Sequence, residues 1–308
     1  MKLHLILILT FILLINSKRS KYPVYLLKKN YQNVSLPVVI WHGMGDSCCN
    51  PLSIGWIKSI IQKQLPGVYV HSLMIGDNVA SDTEHGFIGN MNFLVEEACE
   101  KIRKDPYLRN GYNGLGFSQG GLFMRAVAER CPTPQMNNLI SIGGPQQGIY
   151  GFPYCVGPTR LCRYVKTLLN YGAYTGFVQR NVVQAQYWHD PKQDDEYKTY
   201  NIFLADLNNE NEINKKYKEN LLKLKKMVLV KFLRDEMVVP KESEWFGFYD
   251  KSGVKVIPME NTTLYSDDKL GLKKLSDSGR MYLLECDGQH LQMSEDFFIN
   301  KIIFPFLK

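Results

Sequence analysis

Two rhythms of apolar and polar residues alternate along this chain. LPVVIWHG, from Leu36 to Gly43, is apolar almost throughout and runs into GMGDSCCNP, a loop signal. Such a run predicts a buried strand. PLSIGWIKSIIQKQLPG then predicts a helix, with Ile54, Trp56 or Ile57, Ile60 and Ile61 on one face. GVYVHSLMIG predicts a second strand, and NMNFLVEEACEKIRKDP a helix stopped by Pro106. NGLGFS is a third strand candidate, although poor in β-branched residues, and GGLFMRAVAERC is the helix behind it. MNNLISIGGPQQG supplies another strand ending in glycines. Strand alternating with helix predicts an α/β fold whose mostly parallel sheet is covered by helices on both faces. From about 149 to 226 aromatic and turn residues break the rhythm, which predicts an insertion of short helices over the sheet. Alternation resumes with the strands in KMVLVKFLRDEMVVP and GRMYLLECDGQHLQM and a last helix in SEDFFINKIIFPFL.

The N-terminus changes this picture. Met1-Lys2, an apolar stretch from Leu3 to Ile15, and the polar close Ser17 to Lys21 form the pattern of a signal peptide. The stretch is shorter than the ~20 apolar residues that span a bilayer. Residues 1–20 are thus expected to be removed, leaving 21–308 as one α/β domain with an insertion. Secretory entry makes the seven cysteines disulfide candidates, with an odd one left over. It also makes Asn33 (Asn33-Val34-Ser35) and Asn261 (Asn261-Thr262-Thr263) candidate glycan acceptors. The cysteines have no metal-ligand spacing, and neither an H-E-x-x-H nor a Walker lysine occurs, so no metal or cofactor is expected. The net charge of +7 comes partly from Lys28-Lys29, NKKYKEN and LKLKK. These read as solvated helix faces rather than a nucleic-acid stripe.

Candidate chemistry centres on GFSQG, where Ser118 stands between Gly116 and Gly120. Average residue frequencies predict about 0.1 such matches by chance in a chain of this length. Its place, where a strand ends and a helix begins, is what a nucleophile elbow requires. A serine hydroxyl needs a base, and in this arrangement nucleophile, acid and histidine follow one another along the chain. Only His189 and His290 follow Ser118. His189 lies in the polar YWHDPKQDDE and is expected to be exposed, whereas His290 directly follows the last strand. Asp235, after the apolar run of KMVLVKFL, is the candidate acid, with Glu236, Asp206 and Asp287 as rivals. The oxyanion needs two backbone N–H donors, assigned to Gln119 and to Met44 in WHGMGD. His42 in the same loop reads as a loop-shaping residue.

VIWHGMGDSCCNP, GFSQGG, ISIGGPQQGI, SEWFGFY and DGQHLQ together resemble the palmitoyl-protein thioesterases, the lysosomal type 1 enzymes in particular. The resemblance runs from about Val38 to the C-terminus. It implies an α/β-hydrolase, with the helical insertion forming an acyl-chain groove, that removes palmitate and similar chains from cysteines of lipidated proteins in the lysosome. It implies the same catalytic Ser118, Asp235 and His290, the same Met44 and Gln119 donors, and no cofactor. It further implies the disulfides Cys48–Cys49, Cys99–Cys131 and Cys155–Cys162, leaving Cys286 unpaired. Substrates would be S-palmitoylated proteins or fatty acyl thioesters, and nucleic acid is no partner. A secreted lipase or carboxylesterase acting on oxyesters is the alternative on the same fold. The family often carries sequons in the segments matching EINKKYKEN and KFLRDE. Here Lys215-Lys216 follows Asn214 and Arg234 precedes Asp235, so glycan-based sorting would depend on Asn33 or Asn261.

Overall fold

Six apolar runs become the strands of one sheet in a computed structural model that describes residues 35–151 and 160–308. They are β1 (Val38–Trp41), β2 (Val70–Ser72), β3 (Tyr112–Phe117), β4 (Met136–Ile142), β5 (Lys226–Phe232) and, after a small antiparallel ribbon of β6 (Phe248–Tyr249) and β7 (Val256–Ile257), β8 (Met281–Cys286). Their order is β2-β1-β3-β4-β5-β8, and every neighbouring pair is parallel. Parallel strands need long crossovers, so helices lie on both faces. Side chains of β1 alternate accordingly. Val39 and Trp41 enter one core with α3 (Met91–Lys104) and α4 (Gln119–Arg130), while Val38 and Ile40 enter the other with α1 (Ile54–Gln64) and the C-terminal helix. That last helix continues through Phe298–Leu307 in wide π-type turns that take in Pro305.

Between α1 and α3 lies α2 (Val79–His85), which the apolar pattern does not predict. It is a single capped segment in which Asn78 accepts from the Ser81 N–H and Ser81 Oγ accepts from the Asn78 N–H. The insertion contributes α5 (Arg160–Gly172), α6 (Gly176–Asn181), α7 (Asp194–Tyr200), α8 (Leu204–Leu207) and α9 (Lys215–Leu221). Its Val165, Leu169, Val178 and Val182 make a small core of their own with Phe87, against which Met44 packs. The insertion is therefore seated on the loop that follows β1.

Cys48 is joined to Cys49, and Cys99 on α3 to Cys131 after α4. Cys286, at the end of β8, is a buried free thiol. Residues 1–20, Asn33 and Cys155 lie outside the described residues, and with Cys155 so does its expected pairing to Cys162. Asn261 is exposed, next to the capping residue Thr262. Among the described residues no helix is long and apolar enough to cross a membrane.

Candidate active site

Ser118 is the single residue between β3 and α4, and it sits at φ 53°, ψ −127°. A non-glycine residue there is strained, and close packing around it maintains that geometry. A β-carbon on Gly116 would run into the backbone of Gly120. One on Gly120 would come within 2.5 Å of the carbonyl oxygens of Trp41 and His42. Glycine at both positions lets α4 begin against β3 and β1, and the turn then projects the Ser118 hydroxyl above the sheet. The Ser118 N–H is held by the Ile142 carbonyl at 2.8 Å.

Loops at the same edge supply the partners. Ser118 Oγ lies 2.7 Å from His290 Nε2, and the other ring nitrogen, Nδ1, hydrogen-bonds Asp235 Oδ2. With Asp235 ionised, Nδ1 carries the proton and donates it, so Nε2 accepts from the serine hydroxyl. The loops after β5 and β8 are zipped together, since Leu233 and Arg234 N–H donate to the carbonyls of Cys286 and Gly288, both at 3.0 Å. Asp235 Oδ1 accepts from the N–H groups of Met237 and Val238 at 2.7 and 3.0 Å. Burial pushes the Asp235 carboxyl up, but hydrogen bonds from His290, Glu244 and the Val238 N–H outweigh it and bring the group down to about 2. The rival acids lie elsewhere. Glu236 is exposed, Asp287 pairs with Arg234 at 3.1 Å, and Asp206 pairs with Arg130 and Tyr217, each at 2.9 Å.

His189 is buried, contrary to the expectation that it is exposed. Its ring stacks between Tyr197 and Phe248, with centroids 3.8 and 4.2 Å away, and Nδ1 is 2.9 Å from the Gln147 carbonyl oxygen. Polar neighbours in sequence concealed an aromatic sandwich made by distant segments.

The loop after β1 lies hard against Ser118. A β-carbon on Gly43 would come within 3.0 Å of that of Ser118, so glycine brings the adjoining Met44 backbone to the site. Gln119 opens α4, where the first N–H groups lack intrahelical partners and carry a partial positive charge. Its side chain points into the insertion and accepts from Tyr187 Oη at 3.0 Å and Gln184 Nε2 at 3.3 Å. His42 is turned toward α2. Its Nε2 lies 3.1 Å from Asp82 Oδ1, and neither side chain is exposed to solvent. Asp82 also accepts from the N–H groups of Cys48 and Ile75, both at 2.8 Å. Burial pushes Asp82 up, but His42 and these two donors hold it below the usual carboxyl range. Asp82 thus anchors both ends of the loop that carries Met44. Nothing in the sequence signalled this, because α2 bears neither motif nor apolar stripe.

A cavity of about 390 Å³ opens on Ser118 and His290. Met44, Leu52, Ile57, Phe117, Met237 and Met293 are among its lining, which is mostly apolar. This volume falls in the ~300–1,000 Å³ range of small-molecule sites.

The family profile described as palmitoyl protein thioesterase matches residues 37–290. A Caenorhabditis elegans protein named palmitoyl-protein thioesterase 1 is 57% identical over 269 residues, covering 87% of this chain and 90% of that one. Dictyostelium discoideum palmitoyl-protein thioesterase 3 is 41% identical over 250 residues, 80% of this chain and 82% of that one. A Drosophila melanogaster protein named lysosomal thioesterase PPT2 homolog is 30% identical, covering 88% and 91%. Among solved structures, a pyrethroid hydrolase covers 87% of this chain and 96% of its own, with a TM-score of 0.46 and 10% identity.

Proposed function

Because the chain belongs to the palmitoyl protein thioesterase family and is a thioesterase, we propose that it releases palmitate and similar acyl groups from cysteines of lipidated proteins through a serine acyl-enzyme. The observation that carries this reading is the Ser118 Oγ to His290 Nε2 contact at 2.7 Å, with Asp235 on the opposite ring nitrogen. His290 takes the serine proton as Oγ attacks the thioester carbonyl carbon. The N–H groups of Met44 and Gln119 hold the oxyanion of the tetrahedral intermediate. His290 then protonates the departing cysteine sulfur, leaving an acyl ester on Ser118. A water deprotonated by His290 attacks that ester, and the fatty acid leaves as the proton returns to Ser118. Asp235 keeps the ring in the right tautomer and stabilises the transient imidazolium. No step calls for a metal or cofactor.

The acyl chain is assigned to the cavity beside Ser118, where each buried CH₂ contributes about 0.8 kcal/mol. Contrary to the expectation that the insertion forms the acyl-chain groove, none of its described residues lines this cavity; its Val165, Leu169, Val178 and Val182 gather instead with Phe87 against Met44. The signal-like leader, the disulfides and the exposed Asn261 support a lysosomal enzyme delivered through the secretory pathway, with residues 21–308 as the mature chain. Ser118→Ala is expected to abolish hydrolysis of a palmitoyl thioester. Retained turnover would overturn the mechanism, and a higher kcat/KM on the matched oxyester would favour a lipase or carboxylesterase instead.

A further inference from the structure

Glu244 lies behind the Ser118–His290–Asp235 chain, in a short helical turn from Lys241 to Trp245, and is 1% exposed. Its Oε2 accepts from the Phe232 N–H at 2.8 Å. Its Oε1 is buried with no N–H or O–H donor among the described residues. A carboxylate oxygen of Glu244, one of Asp235 and a ring nitrogen of His290 all lie within 4.8 Å of one another. Two buried carboxyl groups therefore face each other. Lys231 on β5, the lysine whose charge acts on Glu244, is itself engaged elsewhere: it sits over the Trp245 ring at 3.8 Å and reaches Glu285 at 3.6 Å. The segment is also pinned. Ser243 Oγ donates to the Gly148 carbonyl at 2.6 Å, and Trp245 Nε1 donates to the Leu229 carbonyl at 3.0 Å.

Two anions at this distance without water cost far more than one shared proton. Asp235 already accepts from His290 and from two backbone N–H groups, whereas Glu244 accepts from one, so the proton belongs to Glu244. We infer that Glu244 is a positioning residue of this site: its protonated carboxyl group donates a hydrogen bond to Asp235 and fixes that carboxylate for His290. The inference rests on the catalytic reading of Ser118, His290 and Asp235. In agreement with it, burial and the neighbouring Asp235 hold the Glu244 carboxyl well above its usual range. The bond also draws negative charge away from Asp235. Without it, the bare carboxylate would grip the imidazolium more tightly and move the acid limb of the activity profile to higher pH.

Glu244→Leu and Glu244→Gln separate this role from packing. Glutamine keeps both an acceptor for the Phe232 N–H and a donor for Asp235. Leucine should lower kcat/KM roughly ten- to hundredfold, the scale of a hydrogen bond to a charged group, and raise the acid limb. Glutamine should rescue most of the activity and return the limb to its place. At pH 7 the infrared carbonyl stretch of protonated carboxyl groups should be smaller in Glu244→Gln than in the folded wild type by the contribution of one group, the remainder coming from Glu129 in both. The inference is overturned if that band is identical in wild type and Glu244→Gln, if glutamine is as damaging as leucine, or if leucine moves neither kcat/KM nor the limb. It is also overturned if EDTA abolishes turnover and a divalent cation restores it. The infrared band does not depend on turnover, so it stands apart from a failure of Ser118→Ala.

Discussion

In the proposed mechanism Asp235 acts on the substrate only through His290, and its replacement isolates that indirect role. Asp235→Asn keeps the shape but can present an N–H to the imidazole, which stabilises the wrong tautomer. Turnover of a palmitoyl thioester should fall on the order of 10⁴-fold with the fold intact, as in other triads. The same substitution has a stability signature. The folded carboxyl lies at about 2, below its ordinary 3.8, so its contribution is present above pH ~4 and is lost as pH falls toward about 2. Urea titrations should show wild type losing more stability than Asp235→Asn across that window, and equal losses would refute the assignment. Ser118, Asp235 and His290 were legible in the sequence because the nucleophile carries a glycine frame and its partners follow it after predicted strands. Glu244 and Asp82 were not. Each works by facing another side chain across the fold, and one sequence does not encode which segments meet.

Elements of the sheet were legible because a strand buried on both faces must be apolar, as β1 is throughout and β5 is from Met227 to Val230. β3 was weaker on propensity, yet its glycines are what admit α4. α2 escaped notice because seven residues with a capping box need no amphipathic stripe. Its task is nonetheless specific. Through Asp82 it ties down the loop from His42 to Cys48, and so the Met44 N–H. Asp82→Ala breaks a buried pair, which costs about 3–5 kcal/mol, and strands two backbone donors. Chemical denaturation should show a loss of that size. Near-full kcat with the same stability loss would mean that α2 supports only the fold, whereas a loss of kcat in the folded fraction ties it to the proposed oxyanion donor Met44.

Across the whole molecule, buried titratable groups pull stability in opposite directions with pH. Glu129 is fully buried against Arg125 at 2.8 Å, and burial outweighs that partner to raise its carboxyl to about 7. Glu244 is raised as well. A carboxyl raised on folding binds a proton that the unfolded chain has released, so it favours the folded state less and less as pH climbs from about 4.5 toward its folded value. His189 acts oppositely. Burial lowers it from 6.5, so the stability of keeping it neutral is present above that pH and is lost as pH falls below it. Asp82, Asp105 and Asp235, all lowered, matter only below pH ~4. Summed, unfolding free energy should rise from pH ~8 down to ~6.5, rise more gently below that while His189 offsets one of the two raised carboxyls, and collapse below ~4. His189→Gln, which removes the opposing proton site, should steepen the rise between pH ~6.5 and ~5. A wild-type maximum above pH ~8 in guanidinium titrations would show that these carboxyls are ionised in the folded protein.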